Sequence, residues 1–370
     1  MSRARATVVL LFLLVNLAWF GWSRAQTGAD TPRYIDGAAR LVDGRPLEDI
    51  QAVHAGYLAL VALCHSAGGG TTAVVLIQIG VAAIAIAAVG QLGCALAGPS
   101  AGLIAAALFA CDIETARWHR FVLTDSLYLS LLPIAVWTVH RAVAERVADW
   151  PHMLAAAVSL AALAALRLEG WLVPPLAALH WAAHGAGGRV RRAAGVAMVL
   201  LGATLPLAVM PKVHPNAEWI LPVDSLVSGQ TIWGSDRWTI AMPPGTSGGL
   251  EYAATHPAKM SALLLARLAV HLVHVRPFYS VMHNALILVW LLPVYAFALL
   301  GWRQVRHQTL AHWLLSVIAV QTAIVAITHA DWDGRPLAHV LPLIYVFSAC
   351  GAAHVLTRSG SGSTMTLAPR

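Results

Sequence analysis

A chain that is otherwise mostly apolar carries four polar clusters able to do chemistry. The first lies in GADTPRYIDGAARLVDGR, residues 28–45, where Asp30, Arg33, Tyr34 and Asp36 fall within seven positions. A carboxylate can take a proton from an attacking hydroxyl, and a guanidinium can hold a phosphate through two parallel hydrogen bonds. The plainer use of the same residues is that Asp30 helps cap a helix and Arg33 faces lipid headgroups. The second cluster is CDIETARWHRF, residues 111–121, with Asp112, Glu114, Arg117, His119 and Arg120. Its carboxylates are of a type that binds an acceptor or a divalent cation such as Mg²⁺ or Mn²⁺, and the stretch also reads as an ordinary polar turn. In the third, Arg267, His271 and His274 stand at i, i+4 and i+7, one stripe of a helix, with Arg276 and His283 following. That stripe is either the wet face of an interface helix or a wall that attracts lipid phosphate. The fourth, HADWDGRP, residues 329–336, packs Asp331, Asp333 and Arg335 together. Such charges are costly in lipid and should face water or a cavity; Arg335 suits a phosphate contact or a snorkelling anchor.

The elements that must position these residues are membrane spans. Of 370 residues 58% are hydrophobic and 11% charged, against about 25% charged in a soluble domain. Several runs reach the roughly 17–25 residues a spanning helix needs. The fold class expected is all-α and polytopic, with about ten transmembrane helices; no alternating strand pattern suggests a barrel. Candidate spans are Ala6–Trp22, Thr72–Leu92, Ala101–Ala116, Phe121–His140, Met153–Leu166, Trp171–Ala183, Ala194–Met210, Met282–Gly301, Leu310–Thr328 and Pro336–Val355. Ala52–Ser66 is too short to cross comfortably and reads as a partial or oblique helix. The first run follows MSRAR and resembles a secretory signal, with Ser23 and Ala25 weakly satisfying a cleavage site. An uncleaved first span is the favoured reading, because many more spans follow.

The formal charge of +7 does not indicate nucleic acid. Basic residues sit in short loops beside apolar runs, as topology signals do. His140–Trp150, Gly187–Arg192 and Gly301–Gln308 are therefore expected in the cytoplasm. Gly28–Ile50, Asp112–Arg120, Lys212–Pro257 and His329–Arg335 then share the opposite, periplasmic or extracellular side of the inner (plasma) membrane. The tail Thr357–Arg370 reads as polar and flexible, and no internal repeat is visible. Cys64, Cys94, Cys111 and Cys350 show no paired spacing, which argues against a disulfide framework or a Cys-rich zinc site. The chain contains no H-E-x-x-H.

In ADTPRYIDGAARLV, Thr31 is expected to cap a helix whose first turn holds Pro32. Tyr34, Ile35, Ala38, Leu41 and Val42 share one face and Arg33, Asp36, Arg40 and Asp43 the others, the pattern of an amphipathic helix in the interface plane. Asp30 precedes it, where the helix-end dipole favours a carboxylate.

Asp30, Arg33 and Tyr34, at positions one, four and five of their run, resemble the first outer loop of the GT-C membrane glycosyltransferases, which include the aminoarabinose transferases and the protein mannosyltransferases. FVLTDSLYLSLLPIAV is similar to a recurrent segment with an acidic residue opening a helix, and RLEGWLVPPLAAL to an Arg-x-x-Gly element before a later span. HPAKMSALLLARLAVHLVHVRPFYSVMHN resembles an outer interface helix, and DWDGRPLAHVLPLIYVFSA the closing Arg-then-Pro span. The order of these matches covers nearly the whole chain. It implies one transferase domain over residues 1–356, with outer loops 23–51 and 211–281, and a cytoplasmic tail, 357–370. One departure is plain: the aminoarabinose branch carries an acidic–basic–Pro–Pro run where this chain has AVHAGY, residues 52–57. That argues against an aminoarabinose substrate, and against lipid A with it.

The resemblance implies transfer of a sugar from a polyprenyl-phosphate donor to a lipid, glycan or protein acceptor. Asp30 would be the general base. Arg33, Tyr34, Asp112, Glu114, Arg120, Arg267, His271, His274 and Arg335 would contact donor or acceptor. Members of the superfamily differ in using a metal, so Mg²⁺ or Mn²⁺ stays open. Trp219, Trp233 and Trp238 would stack on sugar or anchor at the interface. A transporter or flippase of lipid-linked sugars is the rival reading. It calls for charges at mid-membrane depth, where only Arg167 and Glu169 are candidates. An inactive scaffold of the same fold is the third.

Overall fold

The computed structural model describes residues 3–144, 150–184, 188–189, 192–193, 195–197, 200, 229–232, 239–240, 253–331 and 333–361. In chain order the helices are α1 (Arg3–Ser23), α2 (Thr31–Val42), α3 (Asp49–Ala52), α4 (Ala55–Ser66), α5 (Gly70–Cys111), α6 (Ile113–Trp118), α7 (Thr124–Ala144), α8 (Trp150–Leu166), α9 (Val173–His184), α10 (Pro257–Val273), α11 (Val281–Val305), α12 (Thr309–Ile327) and α13 (Arg335–Ser361), with a 3₁₀ turn at Leu168–Leu172. Among the described residues, β-structure is limited to isolated bridges. Among the described residues six helices, α1, α5, α7, α11, α12 and α13, are long and apolar enough to cross a membrane. The fold is that of an all-α integral membrane protein.

The expected spans at 72–92 and 101–116 are the two arms of α5. Ala97 and Gly98 leave helical geometry there, with Gly98 at φ +85°. Glycine takes that left-handed conformation without steric cost, and Pro99 restarts the helix where its missing N–H is harmless. The arms pack closely because small residues face each other: a Cβ on Gly93 would lie 2.9 Å from the Ala101 carbonyl oxygen. α11 and α13 meet the same way, Gly301 lying against the Phe347 carbonyl and Gly351 against that of Phe297.

Hydrogen bonds sort the loops to two ends of the bundle. At one end Gln308 Nε2 donates to the Leu96 carbonyl at 3.0 Å and Arg5 donates to the Gly90 carbonyl at 3.4 Å. The α5 reversal, the N-terminus and the basic turn before α12 therefore lie together. At the other end the Gln26 N–H donates to the Arg120 carbonyl and the Val122 N–H donates to the Gln26 carbonyl, at 2.8 and 3.0 Å. Tyr57 donates to Gln78 at 3.0 Å, and Gln78 donates to the Phe121 carbonyl at 2.8 Å. This second end gathers the acid-bearing loops, as the loop charges imply.

Three expectations need correction. The stretch at 171–183 is not one helix, since the 3₁₀ turn runs to Leu172 before α9 begins. Thr31 does not cap α2: it is the first helical residue, its hydroxyl accepting from the Gly28 N–H at 2.8 Å and donating to the Val122 carbonyl at 3.1 Å. The N-cap is Asp30, whose side chain makes no capping hydrogen bond. The helix that ends the chain's described part runs to Ser361, past the start expected for the tail. Most of 194–210 and of 212–257, with Trp219, Trp233 and Trp238, lies outside the described residues.

Candidate functional site

Asp30 spends its carboxylate on two arginines rather than on the helix it precedes. Oδ2 accepts from Arg335 Nη1 at 2.8 Å and Oδ1 from Arg33 Nη1 at 3.4 Å. Arg335, first residue of α13, also lies 3.3 Å from Asp333, 3.5 Å from Asp331 and 3.9 Å from Asp125. Four carboxylates thus surround one guanidinium. Burial, then the charge of Asp331, push the Asp333 carboxyl above its usual range. Arg33 remains partly exposed, so this cation can turn toward a ligand.

A buried layer supports that pair. Asp125, 1% exposed in its side chain, accepts from Arg167 at 2.9 Å and lies 3.0 Å from His339 Nε2. Arg167 also holds Glu169 at 3.0 Å. Burial alone would raise the Glu169 carboxyl, but Arg167 outweighs it and holds the group down to about 2. Tyr34, expected at the donor, is 2% exposed and packs edge-on against Tyr57 and His54, 5.0 and 5.3 Å between ring centroids. Burial pushes its phenol up to about 12. Tyr34 therefore props α2 from beneath. Asp125 and His339 were missed as site residues. The available signals were the acidic residue opening α7 and the four-residue spacing from Arg335 to His339, which places both on one face of α13.

Beside this pair lies a cavity of about 710 Å³. Asp112, Glu114, Arg117, Arg120, His274 and His283 form its polar rim, and Trp19, Leu286, Ile287, Trp290, Leu337 and Leu341 its apolar wall. Trp118 and Gly334 join cavity to pair. The guanidinium carbons of Arg117 and Arg335 lie 4.6 and 5.6 Å from the Trp118 ring centroid, and Arg117 Nη2 donates to the Asp333 carbonyl at 2.6 Å. Arg120 stacks 3.2 Å over Trp19 and donates to Ser23 Oγ at 3.0 Å. Gly334 has φ +77°, and a Cβ there would run into the His274 ring.

The rim carboxylates differ. Asp112 caps α6, its Oδ1 accepting from the Glu114 N–H at 3.0 Å. Its Oδ2 is buried, and burial raises the carboxyl to about 6 although the Tyr345 hydroxyl and the Glu114 N–H pull the other way. Glu114 lies 3.2 Å from Arg117, 3.4 Å from His283 and 3.9 Å from His274. Burial, then the nearby Arg276 and Arg117, push His274 down to about 3, so it meets Glu114 as a neutral ring.

The expected stripe on α10 divides. Arg267 is fully buried and donates to the carbonyls of Gln230 and Ile327 at 2.9 Å each, a tie between backbone segments. His271 is 2% exposed. Neither presents a wet face. His274 follows the helix as its left-handed C-cap, which turns it into the cavity.

Among the described residues the expected carboxylates are already engaged and do not form a Mg²⁺ or Mn²⁺ site. Asp30 and Glu114 are each taken by guanidinium groups, one Asp112 oxygen caps a helix, and among the described residues no His, Cys, Asp and Glu are grouped to hold a metal.

No protein-family model matches the chain, and no curated protein matches it in sequence. Solved structures do match in shape. The chain is similar to the Archaeoglobus fulgidus oligosaccharyltransferase tethered with an acceptor peptide, at TM-score 0.58 and 13% identity over 98% of this chain and 51% of that one. It is similar to ArnT from Cupriavidus metallidurans bound to undecaprenyl phosphate, at TM-score 0.56 and 13% identity over 97% and 61%. The A. fulgidus oligosaccharyltransferase AglB with an inhibitory peptide and a dolichol-phosphate matches at TM-score 0.54 and 14% identity over 99% and 52%. The chain spans about half to three-fifths of the length of these proteins. Its fold is the one shared by these GT-C membrane glycosyltransferases.

Proposed function

We propose that this protein transfers a sugar from a polyprenyl-phosphate donor to a lipid, glycan or protein acceptor on the non-cytoplasmic side of the membrane. The observation that carries the reading is the 2.8 Å pairing of Asp30 with Arg335 beside an apolar-walled cavity of about 710 Å³. The polyprenyl chain lies along Leu286, Ile287, Trp290 and Leu341, with its phosphate toward Arg335, Arg117 and Arg120. Arg33, partly exposed, approaches from the Asp30 side. The acceptor hydroxyl attacks the anomeric carbon and gives its proton to Asp30. The bond from anomeric carbon to phosphate oxygen breaks, and the electron pair leaves on the phosphate, where the guanidiniums stabilise it. A carboxylate held by two arginines must exchange one of them for the incoming hydroxyl. Arrival of the phosphate at Arg335 drives that exchange, so donor binding exposes the base.

Transport finds no support in the charge distribution. Arg167 and Glu169 belong to the network that also holds Asp125, at the same end of the bundle as Asp30. The test uses purified protein in vesicles with a polyprenyl-phosphate sugar labelled in the sugar. Transfer of label to an acceptor pool from cell extract, with release of polyprenyl phosphate, is expected. Translocation of the intact lipid with its sugar–phosphate bond unbroken under every acceptor condition would overturn the assignment.

A further inference from the structure

The opposite end of the bundle holds a second cavity, of about 340 Å³. It lies where α5 reverses and α12 begins, and His140 from α7, His180 and His184 from α9, and Gln308, Thr309 and Leu310 line it. Along α7, His140 lies fifteen residues beyond Asp125, roughly 22 Å at the helical rise. The cavity is thus separate from the transfer site and plays no part in that chemistry.

We propose that this cavity binds a phosphate group. Two independent features point there. The first is the N-terminus of α12, a helix of 19 residues whose N-cap, Gln308, makes no capping hydrogen bond with its side chain. That side chain is turned away to the Leu96 carbonyl. Thr309 and Leu310, the first two helical residues, line the cavity, and the uncapped end carries partial positive charge. The second is His180. It is 9% exposed, stacks on Trp313 at 4.9 Å, and its Nε2 is buried in the cavity wall with no hydrogen-bond partner. A buried imidazole nitrogen without a partner costs stability unless a ligand or water meets it.

The sign of the ligand follows from the same parts. Among the described residues no lining residue is acidic, and a positive helix end repels a cation. A metal on the histidines would sit against that positive end. An anion gains from the N–H groups of α12 and from the imidazoles of His180 and His184, whose ring centroids lie 5.2 Å apart. The volume exceeds that of phosphate alone and admits a small organic group attached to it. The phosphate can therefore come from a phospholipid headgroup or from a soluble phosphate compound.

The test uses full-length protein purified in phosphate-free detergent buffer, with two variants. His180→Phe keeps the ring stacked on Trp313 and removes both nitrogens. Thr309→Asp puts a carboxylate at the end of α12, which helix electrostatics favour for folding, on the spot an anion would occupy. In the first arm inorganic phosphate is titrated against thermal unfolding. In the second, protein from phosphatidylglycerol or phosphatidylcholine nanodiscs is analysed by native mass spectrometry for retained lipid. Wild-type protein should saturate with phosphate, or retain phosphatidylglycerol over phosphatidylcholine. Both variants should weaken the effect at least tenfold, with Thr309→Asp as stable as wild type without phosphate. A response in the first arm identifies soluble phosphate as sufficient, and a response in the second alone identifies the headgroup. Equal behaviour of wild type and Thr309→Asp in both arms would overturn the proposal.

Discussion

Asp30 and Arg335 are 305 residues apart in sequence and 2.8 Å apart in space. One is the N-cap of α2, the other the first residue of α13, so the pair closes the bundle at its polar end across segments from the two ends of the chain. Because Arg335 also faces Asp125, Asp331 and Asp333, it couples the half-buried Asp30 carboxylate to the buried layer below.

Replacing Arg335 by Lys keeps the charge and loses the planar fork. Donor use should fall by about tenfold to a hundredfold, as a higher requirement for polyprenyl-phosphate sugar or a lower rate. Arg33→Lys should act in the same direction and less strongly, since Arg33 is the more exposed partner. The double change should cost less than the sum, because both side chains hold the one Asp30 carboxylate. Steady-state rates against donor concentration for the four proteins check this.

Asp125→Asn should destabilise the fold by about 3 kcal/mol, since it removes the buried charge between Arg167 and His339. Thermal unfolding in detergent measures it. Activity should fall with it, and Asp30 accessibility should change too, because Arg335 loses one of its fixed neighbours.

Asp112 gives a pH signature. Its carboxyl is raised in the folded state to about 6, above an unfolded value near 4. Its contribution to stability is therefore fully present below about pH 4 and is lost as pH rises through about 6. Asn still caps α6 but does not titrate. Asp112→Asn should thus gain stability over wild type between pH 4 and 7, reaching about 2–3 kcal/mol. Glu169, held at about 2, acts oppositely, its contribution being present above about pH 4.5 and lost as pH falls through about 2. Unfolding of both proteins over pH 4–7 checks the sign.

Gly334→Ala should lower the midpoint of unfolding and impair donor use. A side chain at φ +77° costs about 1–2 kcal/mol, and the new Cβ displaces His274 from the cavity rim. A second change, His274→Ala, should restore part of the stability by making room, which strain at the backbone alone would not allow.

The polar end of the fold was legible because lipid leaves few places for charge. Basic loops marked one end, and Asp30, Glu114 and Arg335 then had to share the other. The Asp30–Arg335 pair itself was not legible, since nothing in local spacing joins the loop before α2 to the loop before α13. Asp125 and His339 were missed because each opens or lines a helix that reads as apolar, and their purpose appears only when Arg167 arrives from a third segment. Arg267 misled for the opposite reason: helical spacing placed it on a stripe, but carbonyls from two other segments claim its guanidinium. Thr31 looked like a cap by type, whereas the neighbouring carbonyl of Val122 takes its hydroxyl.

The central claim is that Asp30 accepts the proton during sugar transfer. Asp30→Asn keeps the shape and can still hydrogen-bond Arg335, but it cannot act as the base. With labelled polyprenyl-phosphate sugar and protein inserted to wild-type levels in vesicles, the single-turnover rate of label transfer should fall at least a hundredfold. Donor binding, read by equilibrium retention of the labelled lipid, should change by less than about tenfold. Transfer by Asp30→Asn within a few-fold of the wild-type rate would contradict the account.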